Sequence, residues 1–193
     1  MPVQLQLLSP TYLLATTDPA GRRIEIRFTG EAVEHLLHWL KTHDIQTLLV
    51  EGMSKSGKST FAEFLYRVLG WRRLPTSGSQ ELLEETVRLL NVLGVVESSH
   101  VLCDGLLSPL LLDDKLWNNN SPMWCEPVRM ALQNAKAGVL WLTTTARVLE
   151  NRGLYYSTAD AELYTNLVRE TEFRVGRLLG HTNRLCVWEP ERS

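Results

Sequence analysis

Gln46-Thr47-Leu48-Leu49-Val50-Glu51 runs straight into Gly52-Met53-Ser54-Lys55-Ser56-Gly57-Lys58-Ser59, and Thr60-Phe61-Ala62-Glu63-Phe64-Leu65-Tyr66-Arg67-Val68-Leu69 follows. The first run is short, apolar and partly β-branched, the pattern of a buried parallel strand. The middle eight residues fit G-x-x-x-x-G-K-[ST] without a mismatch. The last run sets Phe61, Phe64, Leu65, Val68 and Leu69 on one helical stripe. Strand, glycine-rich turn and helix in that order are what a phosphate-binding loop demands. A surface turn before an ordinary helix is the plainer alternative, and this setting disfavours it.

The chemistry follows from the loop. Gly52 and Gly57 let the backbone turn and approach a phosphate closely. Successive N–H groups through Ser54, Lys55, Ser56 and on to Thr60 can then point at its oxygens, aided by the positive end of the following helix. Lys58 reaches the β- and γ-phosphates of a nucleoside triphosphate such as ATP, and the Ser59 hydroxyl sits on Mg²⁺. Such loops need a second carboxylate at a neighbouring strand end to hold the metal through water. Val101-Leu102-Cys103-Asp104 supplies one, and Gly105 follows it. A turn residue is the other reading of Asp104. Asp113 and Asp114 read as solvated loop charges.

Phosphoryl transfer also needs cations where charge spreads over the transferred group. Arg147 and Arg152 flank Val148-Leu149-Glu150-Asn151, with Gly153, Tyr155 and Tyr156 next, a composition suited to a lid closing over phosphates. Their plainer reading is as solvated helix charges. Arg72 and Arg73 follow a predicted strand end and could clamp the phosphate of a second substrate. The region from Trp71 to Gln80 carries neither Asp nor Glu. A hydroxyl acceptor generally needs a carboxylate base there, whereas a monophosphate is already an anionic nucleophile and needs arginines instead.

The rest of the chain reads as alternating strands and helices, which implies a parallel sheet covered on both faces. Trp71–Pro75, His100–Asp104, Gly138–Thr143 and Arg184–Trp188 are further strand segments. Gln80–Leu93, Pro127–Lys136 and Ala161–Leu179 have helical spacing, and Asp113–Pro127 reads as an irregular excursion in which Trp117 and Trp124 either line a pocket or pack beneath the loop. Ahead of the loop, Val3–Leu8 and Tyr12–Thr16 look extended, and Arg23-Ile24-Glu25-Ile26-Arg27-Phe28 alternates charged and apolar residues. An antiparallel meander accounts for all three. Glu31–Thr42 reads as a helix with Val33, Leu36, Leu37 and Leu40 inward. Residues 1–45 would then be an appendage on a core spanning 46–193. The meander either covers one edge of the sheet, the favoured reading, or serves a partner or a homodimer interface.

The 193 residues suffice for a sizeable core, and 44% hydrophobic with 22% charged content is ordinary for a soluble protein. A formal net charge of −2 argues against polymeric nucleic acid as a partner. Cys103, Cys125 and Cys186 are too scattered for a zinc cluster and odd in number for a disulfide framework. With neither a signal peptide at Met1–Pro10 nor an apolar run long enough for a membrane, the expectation is a cytoplasmic protein with no membrane partner.

Leu48 to Leu65, reading LLVEGMSKSGKSTFAEFL, closely resembles the opening of thymidylate kinases, with Glu-Gly before the loop and Gly-Lys-Ser-Thr at its end. Asp104-Gly105-Leu106-Leu107-Ser108 is similar to that family's Asp-Arg motif, which ends a strand and is followed by a serine. Trp141 through Gly153 looks like its passage from strand to lid, and Val168-Arg169-Glu170 with Phe173 resembles the helix after the lid. The likeness spans about residues 46 to 190 and excludes the first 45. It implies the nucleoside and nucleotide kinase fold, a five-stranded parallel sheet with helices on both faces, and transfer of the ATP γ-phosphate to a small nucleotide acceptor, a (deoxy)nucleoside monophosphate. Lys58, Asp104, Arg147 and Arg152 would then be the catalytic set.

The chain departs from the family at Gly105, where an arginine is usual. It has Arg72-Arg73-Leu74-Pro75 in place of Arg-Glu-Pro, and no clear base-holding aromatic and arginine in Gln80–Leu93. Two other readings share the same loop: a kinase for a nucleoside, a modified base in nucleic acid or another hydroxyl compound, and a nucleotide-binding module without catalysis.

Overall fold

The computed structural model describes residues 6–8, 11–17, 23–52, 56–74, 87, 91, 100–112, 114, 117, 124–143, 158–180 and 182–188. Two sheets form. The first is an antiparallel meander of β1 (Gln6–Leu8), β2 (Thr11–Thr17) and β3 (Arg23–Thr29), paired in that order. The second is parallel and five-stranded, built from β4 (Thr47–Gly52), β5 (Arg72–Leu74), β6 (Val101–Asp104), β7 (Ala137–Leu142) and β8 (Leu185–Trp188) in the order β5-β6-β4-β7-β8. Among the described residues the meander is hydrogen-bonded to neither edge of the parallel sheet, so an edge-covering role through strand pairing is absent there.

Burial follows the two-residue period of a strand. Leu49, Cys103, Val139 and Trp141 face one way, against α3 (Ser108–Leu112), α4 (Cys125–Asn134) and α5 (Thr158–Leu179). Leu48, Val50, Leu102, Leu140 and Leu142 face the other, against α1 (Gly30–Thr42) and α2 (Lys58–Leu69). Helices therefore cover both faces, as the alternation of elements implied. Val33, Leu36 and Leu40 of α1 share a buried cluster with β4 and α2. The Trp39 indole donates to the Asn183 carbonyl at 2.9 Å. The helix placed with the N-terminal appendage is thus packed into the core. Leu37, expected on its inner face, is exposed, because the buried stripe is narrow.

Other boundaries moved for local reasons. α4 starts at Cys125 rather than Pro127, with the proline inside the first turn, where its missing N–H costs nothing. The excursion expected over Asp113–Pro127 is partly helical, since α3 precedes it and Asp114 and Trp117 are helical. Trp117 packs, with its indole N–H on the Leu110 carbonyl at 3.0 Å and its ring edge-on to Trp124. Of the Gln80–Leu93 helix only Val87 and Asn91 are described, both helical. No helix among the described residues is long and apolar enough to cross a membrane.

The connection leaving β4 leads out to β5, and the one leaving β6 crosses β4 to reach β7. Neighbouring strands thus send the chain in opposite directions, and a crevice opens at the carboxyl ends of β4 and β6. That is where ligands bind in open α/β sheets.

Candidate active site

The crevice is walled by the residues that end the strands. β4 ends in Glu51 and Gly52, and in β6 Asp104 stands beside Val50 in register. Gly52 has φ +152°, and a Cβ there would lie 2.7 Å from the Leu142 carbonyl oxygen, so only glycine fits. Gly57 caps α2 in the left-handed region at φ +97°. The Ser56 hydroxyl is buried and finds no hydrogen-bond partner among the described residues. A buried unpaired hydroxyl, two glycines with positive φ and a helix N-terminus meet at one point, a donor set suited to an anion's oxygens. Ser59 and Thr60 lie in the first turn of α2. Met53, Ser54 and Lys55 lie outside the described residues.

Lys58 is the first residue of α2, and its ammonium donates to the Gly52 carbonyl at the end of β4 at 2.8 Å. Burial depresses its pKa, against the carboxylates of Glu51 and Asp104, which act to raise it. Asp104 accepts from the Arg73 guanidinium at 3.1 Å. The same guanidinium bonds Glu63 of α2 at 3.2 Å, and Glu63 in turn pairs with Arg67 at 2.6 Å. Arg73 therefore bridges β5, β6 and α2 at the mouth of the crevice. Its neighbour Arg72 is exposed, because successive strand residues face opposite ways, and the structure does not bring it to Asp104. Of the two arginines expected at the acceptor phosphate, the structure sets Arg73 beside Asp104.

Gly105 has φ +73° and donates its N–H to the Val50 carbonyl at 2.9 Å. That left-handed turn disfavours a side chain. A guanidinium does lie beside Asp104, that of Arg73 from the adjacent strand.

Glu51 is the candidate site residue whose setting only the structure brings out. It is fully buried, and one carboxylate oxygen accepts the Leu107 N–H at 2.8 Å. The other accepts the Ser108 N–H at 2.8 Å and the Ser108 hydroxyl at 2.5 Å. The carboxylate thus ties the start of the phosphate loop to the turn that follows Asp104. Burial pushes its pKa up to about 7, with the three donors pulling the other way. The signal was a lone acid closing an otherwise apolar strand. The same strand packing pushes the buried Cys103 thiol up to about 12, so it is inert. Arg174, also unremarked in the sequence, is buried in α5, and Asp114, expected to be a solvated loop charge, pairs with it at 2.7 Å. Arg147 and Arg152 lie outside the described residues.

No family model matches the chain. No curated protein matches it either. Among solved structures, the chain is similar to the YorR protein of Bacillus subtilis, crystallised in complex with phosphorylated GDP. That likeness has a TM-score of 0.51 and 23% identity, covering 74% of this chain and 84% of that one. A gluconokinase from Sinorhizobium meliloti also aligns, at TM-score 0.41 and 12% identity over 76% of this chain and 83% of that one, too distant to carry argument. Together with the five-stranded parallel sheet, the likeness to YorR fixes the architecture as α/β with the P-loop kinase fold.

Proposed function

We propose that the chain transfers the γ-phosphoryl group of ATP to a nucleoside monophosphate, deoxynucleotides included, to give the diphosphate. The observation that carries this reading is the position of Arg73. Its guanidinium is held beside Asp104 at the carboxyl ends of the strands, where an anionic acceptor would need a cation. Lys58 and the loop N–H groups would hold the β- and γ-phosphates, and Lys58 would exchange the Gly52 carbonyl for a phosphate oxygen as it did so. Ser59 and Asp104 would hold Mg²⁺ together with phosphate oxygens and water, and the ion would offset charge on the transferred group. Arg147 and Arg152 are proposed to close over that group.

A hydroxyl acceptor is the competing reading, and it needs a carboxylate free to take a proton. Glu51 is committed to three donors, and Asp104, paired with Arg73, is the carboxylate assigned to the metal. Both facts favour the monophosphate. The test is ADP release from Mg·ATP with each ribo- and deoxynucleoside monophosphate and each nucleoside as acceptor. Turnover confined to one or two monophosphates is expected, with Lys58→Ala lowering it on the order of 10³-fold. Turnover on nucleosides alone would overturn the acceptor assignment. Undiminished activity in Lys58→Ala would overturn the site.

A further inference from the structure

The Gly52 carbonyl is within reach of two side-chain donors. It accepts from the Lys58 ammonium at 2.8 Å and lies 3.3 Å from the Ser108 hydroxyl. That hydroxyl also stands 2.5 Å from the Glu51 carboxylate. A hydroxyl has one hydrogen, so Ser108 donates either to Glu51 or to Gly52. While Glu51 is ionised the short, charge-assisted contact takes that hydrogen, and the carbonyl relies on Lys58.

A proton on Glu51 reverses this order. The carboxyl oxygen that faces Ser108 becomes an O–H donor, and the serine oxygen accepts from it. The serine hydrogen then turns to the Gly52 carbonyl, which can release Lys58 without losing its last side-chain donor. The Leu107 and Ser108 N–H groups keep their bonds to Glu51, since each carboxyl oxygen still offers a lone pair.

We propose that Ser108 and Glu51 are positioning residues for Lys58, and that a nucleoside triphosphate binds with uptake of a proton from solvent onto Glu51. The Gly52 carbonyl passes from Lys58 to Ser108 in the same event. This rests on the reading that Lys58 turns to the β- and γ-phosphates. The surrounding charges act in the same direction. From α2, Lys58 is the cation that favours the ionised carboxyl. From β6 come the neutral Cys103 thiol and Asp104, which shares the pull on Lys58. Neither β7 nor α3 carries a charged residue. Drawing Lys58 to a phosphate weakens its attraction for Glu51, and the phosphate charge opposes ionisation further. Burial already brings this carboxyl to about 7, so the exchange falls near neutral pH.

The test is calorimetric titration of the full chain with Mg·ATP in buffers of different ionisation enthalpy, which counts the protons exchanged. Uptake of about half a proton per nucleotide is expected at about pH 8, with Kd rising at least about threefold between about pH 7 and 8.5. Glu51→Gln keeps a donor toward Ser108 at every pH, so it should lose that uptake and flatten the Kd profile. Ser108→Ala should bind on the order of tenfold more weakly and take up less proton. Ser108→Thr retains the hydroxyl and should restore both. Lys58 is present in all four proteins, so any proton it gains on binding is common to them. Circular dichroism checks folding, and the two Ser108 variants carry the test if Glu51→Gln does not fold. Binding with no more proton uptake than in Glu51→Gln overturns the proposal and leaves the nucleotide site standing. So does a Ser108→Ala variant that matches the starting chain in affinity and uptake. Failure of Mg·ATP to bind at all overturns the nucleotide site and this proposal with it.

Discussion

Glu51 binds the candidate site together, and its titration makes that role measurable. In the unfolded chain its carboxyl loses a proton near the ordinary value of 4.5, whereas in the folded protein burial delays this to about 7. Between those values the native state holds a proton that the unfolded state has released. Its contribution to stability is therefore complete below about pH 4.5 and is lost as pH rises through 7. The difference amounts to about 3 kcal/mol over that window. In Glu51→Gln the amide cannot titrate, and its NH₂ end meets a backbone N–H where an oxygen accepted one. This variant should lose about 1–3 kcal/mol at acid pH and show a flatter profile from pH 4.5 to 8. Urea unfolding of both proteins across that range checks it, and parallel profiles would remove Glu51 as the titrating group.

At the level of elements, one polar side chain, that of Arg174, ties α3 to α5 above their shared apolar cluster. Arg174 is 2% exposed. It donates to the Leu111 carbonyl at 2.7 Å, to Asp114 at 2.7 Å and to Glu170 at 2.5 Å, with its guanidinium 5.4 Å above the Trp117 ring. Its two acids are 66% and 55% exposed, so they return to water when the arginine is removed. Arg174→Met should therefore cost about 2 kcal/mol, less than the 3–5 kcal/mol of a pair whose survivor is stranded in the interior. Equilibrium unfolding in urea would measure it, and a neutral result would mean that apolar packing alone holds the joint. This contact also marks where the sequence stops being legible. The strands and the helices α1, α2 and α5 were readable because their apolar periods are carried by neighbouring residues. The loop was readable because glycine and lysine spacing encodes backbone geometry directly. Asp104 was placed by the strand before it. Arg174, Glu51 and the choice of Arg73 over Arg72 were not, since each depends on partners 31 to 63 positions away. Only the assembled sheet decides which of two adjacent arginines faces the crevice.

For the molecule as a whole, the crevice draws on β4, β6 and α2, all of which are rooted in the buried core. A ligand seated there binds the native state and not the unfolded chain. At 100 times its Kd, Mg·ATP should stabilise the fold by about 2.7 kcal/mol, which for a domain of this size raises Tm by roughly 5–10 °C. Two variants separate charge from geometry in that shift. Lys58→Ala removes a partly desolvated cation from the first turn of α2 and adds no atom to the fold, so the unliganded Tm should fall less than in a variant that forces the backbone apart, while most of the shift disappears. Gly52→Ala forces a Cβ to within 2.7 Å of the Leu142 oxygen at a backbone angle that suits glycine. It should lower the unliganded Tm by several degrees and abolish the shift as well, because β4 and β7 must part before the loop can re-form. Scanning calorimetry with and without Mg·ATP distinguishes the two cases. A full shift in either variant would mean that the nucleotide stabilises the protein from somewhere other than this loop.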